Sequence, residues 1–208
     1  MIIPFQRQHL RKYFIMGSQD CGNRSPLTVL EAALQAGITA FQFREKGAGA
    51  LTGKEKEILG AKLRARCASY QVPFIVNDDV ELMKVLEADG VHVGQDDSSV
   101  EMIRERFPNI IIGLSISSRH ELTNSPVHLI DYIGAGTVFK TTSKADAEVT
   151  GLQWIKTLRC LQPAMPITGI GGITVENSSA VIDAGADGVS VISAVTQASN
   201  IQQAVQML

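Results

Sequence analysis

The sequence predicts an α/β fold, a (β/α)8 TIM barrel formed by a single domain over residues 1–208. Short apolar segments alternate with amphipathic helix-like segments along the whole chain. Eight of each fit into the 208 residues, and no stretch between them has the composition of a linker. The alternative is an open doubly wound sheet, which typically carries Gly-x-Gly-x-x-Gly after its first strand. Residues 17–22 (GSQDCG) lack that motif, so the barrel is favoured.

The predicted strands are short and have β-branched interiors, which is typical of a parallel sheet covered by helices. In order along the chain, they are residues 13–16, 40–44, 74–77, 90–93, 110–114, 132–134, 167–169 and 188–192. The predicted helices are residues 27–36, 54–70, 80–88, 100–107, 119–127, 151–161, 175–184 and 201–208. Pro126 is expected to close the fifth helix because proline cannot donate a backbone hydrogen bond.

Two six-residue segments resemble each other. Residues 88–93 read ADGVHV and residues 186–191 read ADGVSV, each at the point where a helix ends and the next strand begins. A shared turn conformation explains the likeness, since glycine adopts positive φ at low cost. It also indicates a repeated βα unit.

Composition excludes several classes of protein. With 19 basic and 21 acidic residues, the net charge of −2 does not suit a nucleic-acid binder with a broad basic surface. No apolar run approaches the roughly 20 residues that cross a bilayer, and none resembles a signal peptide. Three widely spaced cysteines predict neither a disulfide framework nor a metal-ligand pair. We expect a cytoplasmic protein without nucleic-acid or membrane partners, and the sequence leaves a homo-oligomer open.

Polar side chains alternate with phenylalanines on the second predicted strand. Gln42, Arg44 and Lys46 share one face, while Phe41 and Phe43 share the other. The phenylalanines are expected to face the helices, which directs the polar face to the barrel axis and its mouth. Inward cations need a partner. That partner is an anionic ligand or, alternatively, a carboxylate from a neighbouring strand.

Acidic residues follow the third and fourth strands. Asp78 and Asp79 follow Asn77, and Asp96 and Asp97 follow residues 94–95. Carboxylates leaving adjacent strands at one rim can share Mg²⁺, which prefers few carboxylates together with water and phosphate oxygens. An alternative for Asp79 or Asp96 is a helix N-cap. With the cations nearby, the pattern predicts a magnesium site that suits a pyrophosphate.

A second anion site is predicted across the mouth. Residues 137–144 form a hydroxyl-rich loop after strand six, residues 171–172 are a glycine pair after strand seven, and residues 192–194 form a small-residue turn after strand eight. In barrels, backbone N–H groups of the last two loops often bind a phosphate monoester. Two phosphorylated ligands at one mouth indicate that a group leaves pyrophosphate and joins a second phosphorylated molecule.

Five segments together resemble the thiamine phosphate synthase family. They are residues 42–46 (QFREK), 72–78 (VPFIVND), 90–97 (GVHVGQDD), 141–144 (TTSK) and 170–173 (IGGI), and the likeness runs from Tyr13 to near the C-terminus. The resemblance implies a transferase that joins an aminopyrimidine methyl pyrophosphate to a thiazole phosphate, with or without a thiazole carboxylate, and releases pyrophosphate. In the family's scheme, which depends on Mg²⁺, the C–O bond ionises first and the thiazole nitrogen captures the carbocation.

The resemblance also implies roles for individual residues. Contacts to the pyrimidine substrate would come from Gln42, Phe43, Arg44, Glu45, Lys46, Asn77, Ser115 and Lys144. Of these, the groups that assist the reaction would be Arg44, Lys46, Ser115 and Lys144, while Mg²⁺ would be held by Asp78 and Asp97. The thiazole phosphate would be bound by Thr141, Thr142, Ser143, Gly172, Ile192 and Ser193.

One loop departs from the family. Residues 115–118 read SISS where the family commonly has Ser-Ala-His-Thr, so Ser115 is kept and Ser117 replaces the histidine. Similar thiazole tautomerases use that histidine for proton transfer, so its absence argues against an isomerase of the same fold. A non-catalytic thiazole-phosphate binding protein is a second alternative. Neither needs the metal–pyrophosphate site that Asp78, Asp97 and Lys144 would form.

Two further positions are singled out. Lys140 stands where the family more often has proline. His92 lies mid-strand between two valines and is interpreted as an interior histidine held by hydrogen bonds rather than as a catalyst.

Overall fold

The computed structural model describes residues 3–141 and 148–208. Its eight strands are parallel and close into a barrel in chain order, with β8 returning to pair with β1. Helices cover the outside between successive strands. The predicted (β/α)8 architecture is therefore confirmed. No helix within the described ranges is long and apolar enough to span a membrane.

The strands agree closely with the predicted ones. They are β1 Lys12–Met16, β2 Ala40–Phe43, β3 Phe74–Asn77, β4 Gly90–Val93, β5 Ile111–Ile116, β6 Tyr132–Ala135, β7 Ile167–Ile170 and β8 Gly188–Val191. The main difference is in β5, which runs two residues further than predicted because Ser115 and Ile116 still pair with Gly134 and Ala135. Ser115 thus lies on a strand and not in a loop.

The helices are α1 Pro26–Gln35, α2 Gly53–Ser69, α3 Val80–Val85, α4 Val100–Arg106, α5 Arg119–Asn124, α6 Gly151–Leu161, α7 Ser178–Asp183, α8 Ser193–Thr196 and α9 Ile201–Met207. Helix α5 ends at Asn124, before Pro126, and a separate 3₁₀ turn Val127–Leu129 follows. Helix α7 begins three residues later than predicted, after Asn177. Helix α8 was not predicted because four residues are too few to show helical periodicity.

The barrel has an outer and an inner apolar core. The outer core lies between strands and helices, and there the rings of Phe41 and Phe74 are 5.7 Å apart. The inner core fills the barrel interior with Tyr13, Tyr132 and neighbouring aliphatic side chains. The Phe5 ring stacks on Tyr132 with centroids 5.7 Å apart. The N-terminal end of the barrel interior is therefore packed, and the opposite end is where a cavity opens.

One bonding pattern recurs four times at the packed end. In each case the residue just before an even-numbered strand makes two hydrogen bonds to one residue of the preceding odd-numbered strand. Its side-chain oxygen accepts that residue's backbone N–H, and its own backbone N–H donates to that residue's carbonyl oxygen. We call Thr39, Asp89, Asp131 and Asp187 the floor brackets. Their side-chain oxygens lie 2.8, 2.9, 2.7 and 2.8 Å from the nitrogens of Lys12, Phe74, Ile112 and Ile167, respectively.

Arginines reinforce the floor brackets. Arg104 and Arg159 donate to Asp131 and Asp187 at 2.9 and 2.7 Å. Each also donates through Nε to a carbonyl two residues before its aspartate. Arg64 makes that second contact at the corresponding place, to the Glu87 carbonyl. The likeness between residues 88–93 and 186–191 belongs to this structural repeat, since both segments carry a floor bracket.

Candidate active site

A cavity of about 320 Å³ opens at the C-terminal ends of the strands. Most of the predicted site residues line it, from both sides of the mouth. They are Gln42, Arg44, Lys46, Asn77, Asp78, Asp97, Ser115, Thr141, Gly172, Ile192 and Ser193. Thr142, Ser143 and Lys144 lie outside the described residues.

The alternation on β2 sets the cationic side of the cavity. Gln42 is 2% exposed and points into the interior, and Arg44 and Lys46 follow it upward at the same face. Lys46 forms an ion pair with Asp78, with the Nζ–Oδ2 distance at 2.6 Å. No described carboxylate forms an ion pair with Arg44. Pairing with a neighbouring strand therefore accounts for Lys46, whereas Arg44 remains available to an anion.

The carboxyl groups of the two predicted magnesium ligands line the same cavity and are close enough for each to shift the pKa of the other. Asp78 adopts a left-handed conformation with φ of 60°, which aspartate tolerates better than most residues. Asp97 is fixed by the backbone N–H of Gly94, 2.7 Å from its Oδ2. Carboxyl groups that follow β3 and β4 thus lie together on one side of the cavity, as predicted.

The electrostatics of this pair follow from crowding. Burial raises the pKa of Asp78, and Asp97 raises it further, although Lys46 opposes both. Burial would also raise the pKa of Asp97, but the Gly94 N–H, the hydrogen bond with Asp78 and the Lys46 charge together lower it. The pair therefore holds a proton more readily than two separate carboxyl groups would.

The donor set suits Mg²⁺. This ion needs only one or two protein carboxylates because water and substrate phosphates supply its other ligands. Within the described ranges, no group of three or more His, Cys, Asp or Glu side chains could hold a metal without such help. Asp79 has a different role, because it caps α3 by accepting the Leu82 N–H at 2.9 Å. The N-cap alternative is therefore confirmed for Asp79.

Two residues implied by the resemblance are placed away from the cavity. The Phe43 side chain is 1% exposed and packs in the outer core, with its ring 6.1 Å from that of Phe74. The Phe43 side chain therefore points away from the cavity, as strand alternation predicts, and a substrate contact at this position stays a prediction that its backbone would have to fulfil. The Glu45 carboxylate accepts hydrogen bonds from the Ser18 N–H, the Ser18 hydroxyl and the Leu51 N–H at 2.6–2.9 Å. Glu45 thus joins two loops beside the cavity.

The opposite side of the mouth is built on the glycine pair. Gly171 and Gly172 have φ of 100° and 63°, which disfavour other residues. A Cβ on Gly172 would collide with the carbonyl oxygens of Phe139 and Lys140, and the Phe139 N–H donates to the Gly171 carbonyl at 2.9 Å. Glycine is therefore required at residue 172 because the backbone of the loop after β6 packs directly against it, whether or not a ligand also approaches this turn.

His92 lies between the two sides and below the mouth. Its Nδ1 is 3.0 Å from the Tyr132 hydroxyl, and its Nε2 is 2.9 Å from Ser115 Oγ. Burial lowers the pKa of His92 to about 4, so the ring is neutral at pH 7. The interpretation as an interior hydrogen-bonded histidine is confirmed.

The sequence analysis missed one polar pair that lines the cavity. Ser117 donates its backbone N–H and its hydroxyl to the Glu121 carboxylate at 2.6 and 2.7 Å. Ser118 caps α5 by accepting the Glu121 N–H. The Ser-x-x-Glu spacing at residues 118–121 is the signature of a capping box and could have placed Glu121 there.

Comparison with known proteins agrees with this geometry. Residues 12–195 match a family model described as thiamine monophosphate synthase. A thiamine-phosphate synthase of Oceanobacillus iheyensis is 55% identical over 207 residues, which is 99% of this chain and all of that protein. One from Streptococcus suis is 49% identical over 97% of this chain and 89% of that protein.

A solved structure agrees as well. The thiamine phosphate pyrophosphorylase from Pyrococcus furiosus superposes with a TM-score of 0.86 at 34% identity, covering 97% of this chain and 95% of that one. The similarity extends over nearly the whole barrel and is not confined to the mouth.

Proposed function

The chain belongs to the thiamine monophosphate synthase family, and we propose that it joins 4-amino-2-methyl-5-pyrimidinylmethyl diphosphate to 4-methyl-5-(2-phosphoethyl)thiazole, or to the carboxylated form of that thiazole, to make thiamine phosphate and pyrophosphate. One observation carries the proposal. The carboxylate pair Asp78–Asp97, with Arg44 and Lys46, lines the same cavity as the turns at Gly172 and Ser193. The mouth can therefore take a metal-bound diphosphate and a second phosphorylated molecule side by side.

With the uncarboxylated thiazole, the proposed reaction breaks one bond and forms one. The carboxylated form would in addition lose its carboxylate as CO2, and the ring carbon left behind would take up a proton from water. The C–O bond to the diphosphate breaks, with its electron pair leaving on pyrophosphate, and the lone pair of the thiazole nitrogen then forms the new C–N bond. No proton has to be removed because the thiazole nitrogen carries none. This agrees with a cavity whose one described histidine, His92, is held by Tyr132 and Ser115.

Charge stabilisation is then the main task of the site. Negative charge grows on the departing pyrophosphate, and preorganised cations stabilise it more in the transition state than in the bound substrate. Arg44 is available for this, and Lys46 can move from Asp78 to the diphosphate. Mg²⁺ held by Asp78 and Asp97 would act as a Lewis acid toward the phosphate oxygens. Lys144, outside the described residues, remains a predicted contributor.

The thiazole phosphate is assigned to the other side. Gly172, Ile192 and Ser193 line the cavity there, and Ser193 begins α8 directly after β8. Thr141 lines it as well, with the predicted contacts at Thr142 and Ser143 next along the chain. Backbone N–H groups and hydroxyls bind a phosphate monoester without needing a metal.

The cytoplasm is the proposed location. Cys21, Cys67 and Cys160 are all free thiols, which is the usual state in a reducing compartment.

The test is an assay with both substrates, with and without Mg²⁺, that measures thiamine phosphate and pyrophosphate. We expect both products in equal amounts, and only when Mg²⁺ and both substrates are present. Conversion of the thiazole phosphate alone without metal would support the isomerase instead. Saturable binding of thiazole phosphate without turnover would support the binding protein. Either result would overturn the proposal.

A further inference from the structure

A chain of five hydrogen-bonded side chains crosses the barrel interior beneath the cavity. From one end to the other it runs Gln42, Tyr13, Tyr132, His92 and Ser115. The four donor–acceptor distances are 3.0, 2.8, 3.0 and 2.9 Å in that order. The chain uses β2, β1, β6, β4 and β5, so it connects strands that are not neighbours in the barrel.

The ends of this chain reach the cavity, and its tyrosines do not. Gln42 and Ser115 line the cavity, as does His92 next to Ser115. Tyr13 and Tyr132 are each 1% exposed and belong to the inner core. A buried hydroxyl pair costs free energy unless each member is satisfied, so a complete chain is more stable than a broken one.

The barrel makes room for the chain with glycines. A Cβ on Gly113 of β5 would collide with the Tyr132 hydroxyl and with His92 Nδ1. A Cβ on Gly134 of β6 would lie 2.9 Å from His92 Cε1. Larger residues at these two positions would therefore displace the ring of His92 or of Tyr132.

The direction of the chain follows from its first member. The Gln42 amide nitrogen can only donate, so the Tyr13 oxygen accepts from it. Among the described residues, Tyr132 is the one other hydrogen-bond partner of the Tyr13 hydroxyl, so the Tyr13 proton is satisfied only if it is donated to Tyr132. Tyr132 then donates to His92 Nδ1, which must be unprotonated. A neutral imidazole of this kind carries its proton on Nε2 and donates it to Ser115 Oγ. The Ser115 proton is left to point into the cavity.

We propose that Tyr13, Tyr132 and His92 are positioning residues that make the Ser115 hydroxyl a hydrogen-bond donor, and leave Gln42 Oε1 as an acceptor, toward the substrate. A donor and an acceptor that line one cavity would match a heterocycle with a ring nitrogen and an amino group, and they would mismatch its oxo counterpart. The identity of that heterocycle rests on the proposed function. The direction of the chain does not.

The direction is tested without activity, by ¹⁵N NMR of the histidine side chains in the intact protein. The His92 signals are identified by their loss in the His92→Gln variant, since the chain has only four histidines. We expect a pyridine-like Nδ1 and a pyrrole-like Nε2 in the wild type. In Tyr132→Phe, which removes the donor to Nδ1, we expect both tautomers. The opposite tautomer in the wild type would mean a reversed Gln42 amide and would overturn the proposal.

The effect on substrate is tested with Tyr132→Phe and a matched control, Thr168→Val. Thr168 is 1% exposed and bonds Ser190 at 2.8 Å inside the same barrel, outside the five-residue chain. Each variant removes one buried hydroxyl. For Tyr132→Phe, we expect the KM for the aminopyrimidine diphosphate to rise about tenfold, roughly the loss of one well-placed hydrogen bond. The KM for the thiazole phosphate should stay unchanged.

Selectivity provides the last measurement. The kcat/KM preference for the amino over the oxo pyrimidine diphosphate should fall about tenfold in Tyr132→Phe and not in Thr168→Val. Equal changes in both variants, or a rise in both KM values, would show a merely structural role and overturn the proposal. If the wild type makes no thiamine phosphate, the proposed function fails, while the tautomer measurement still decides the direction of the chain.

Discussion

The two ends of the barrel use aspartate in opposite ways. At the floor, Asp187 precedes β8 and is saturated, because it accepts from the Ile167 N–H and pairs with both Arg7 and Arg159. At the mouth, Asp78 follows β3 and shares Lys46 with a second carboxylate. The residue type is the same, and its place relative to the strand decides its role. Asp187 before a strand closes the barrel, whereas Asp78 and Asp97 after their strands face each other and share the charge of Lys46.

The largest expected effect comes from breaking the mouth. Replacing Asp78 with alanine should lower kcat by roughly two to three orders of magnitude, the usual cost of losing a preorganised charge contact. Stability should change far less than activity: burial disfavours the charged carboxyl group that is removed, which partly offsets the poorer tolerance of alanine for a φ of 60°. Steady-state assays at saturating substrates and Mg²⁺, with urea unfolding of the same samples, measure both quantities.

Lys144→Ala should lower kcat to a similar degree. Near wild-type kcat values in both Asp78→Ala and Lys144→Ala would contradict the assignment of these residues to the active site. Asp131→Asn is the matched control from the floor, since it alters an aspartate at the far end of the barrel. A kcat loss as large in Asp131→Asn would contradict the division between the two ends.

The same division explains what the sequence could and could not predict. Alternation on β2 placed Gln42, Arg44 and Lys46 at the mouth correctly, because strand periodicity is local. It also placed the Phe43 side chain outward, whereas the resemblance named residue 43 as a substrate contact without saying which of its atoms would make it. Family motifs cover backbone and side chain alike, so they do not say which of the two faces a ligand.

Contacts between distant parts of the chain could not be predicted from local sequence patterns. The hydrogen bond between the Tyr13 and Tyr132 hydroxyls joins residues 119 positions apart, and the sequence around one tyrosine does not indicate contact with the other. The packing of Phe139 against the glycine pair is equally non-local. The polar residue Ser115 suggested the end of β5, although the strand continues through it because Gly134 still pairs with it.

Breaking the floor should give the converse result. Asp187→Ala removes the partner of Arg7 and Arg159 and leaves the Ile167 N–H without an acceptor. Because these groups are partly exposed, we expect the free energy of unfolding to fall by about 3 kcal/mol, the low end for a broken buried pair. Urea unfolding measures the loss, and kcat should be unchanged in the folded fraction. Arg7→Ala should cost less, since Arg7 is 46% exposed.

An intact free energy of unfolding in Asp187→Ala would show that the floor brackets do not stabilise the barrel. A selective loss of kcat there would show that the two ends are not separate in function.

The smallest effect concerns His92, which lies between the two ends. Its folded pKa of about 4 is below the ordinary value of 6.5, so the unfolded state binds a proton first as pH falls. The stability contributed by the neutral ring is complete above pH 6.5 and is lost on acidification toward pH 4. Between pH 7 and pH 5 this amounts to about 2 kcal/mol. Urea unfolding at both pH values should show a smaller pH dependence in His92→Gln, and an equal dependence would contradict the assignment.

Each floor bracket joins an odd-numbered strand to the even-numbered strand that follows it, so the smallest exchangeable segment of this barrel is a pair of strands. Chimeras with junctions after β2, β4 or β6 inherit every bracket whole. Junctions after β1, β3, β5 or β7 place a floor bracket and the backbone N–H that it accepts in segments from different parents, so the floor of the hybrid is not matched. Strand pairs can thus be recombined with every floor bracket kept intact, although the Arg7–Asp187 ion pair would be divided by any of these junctions.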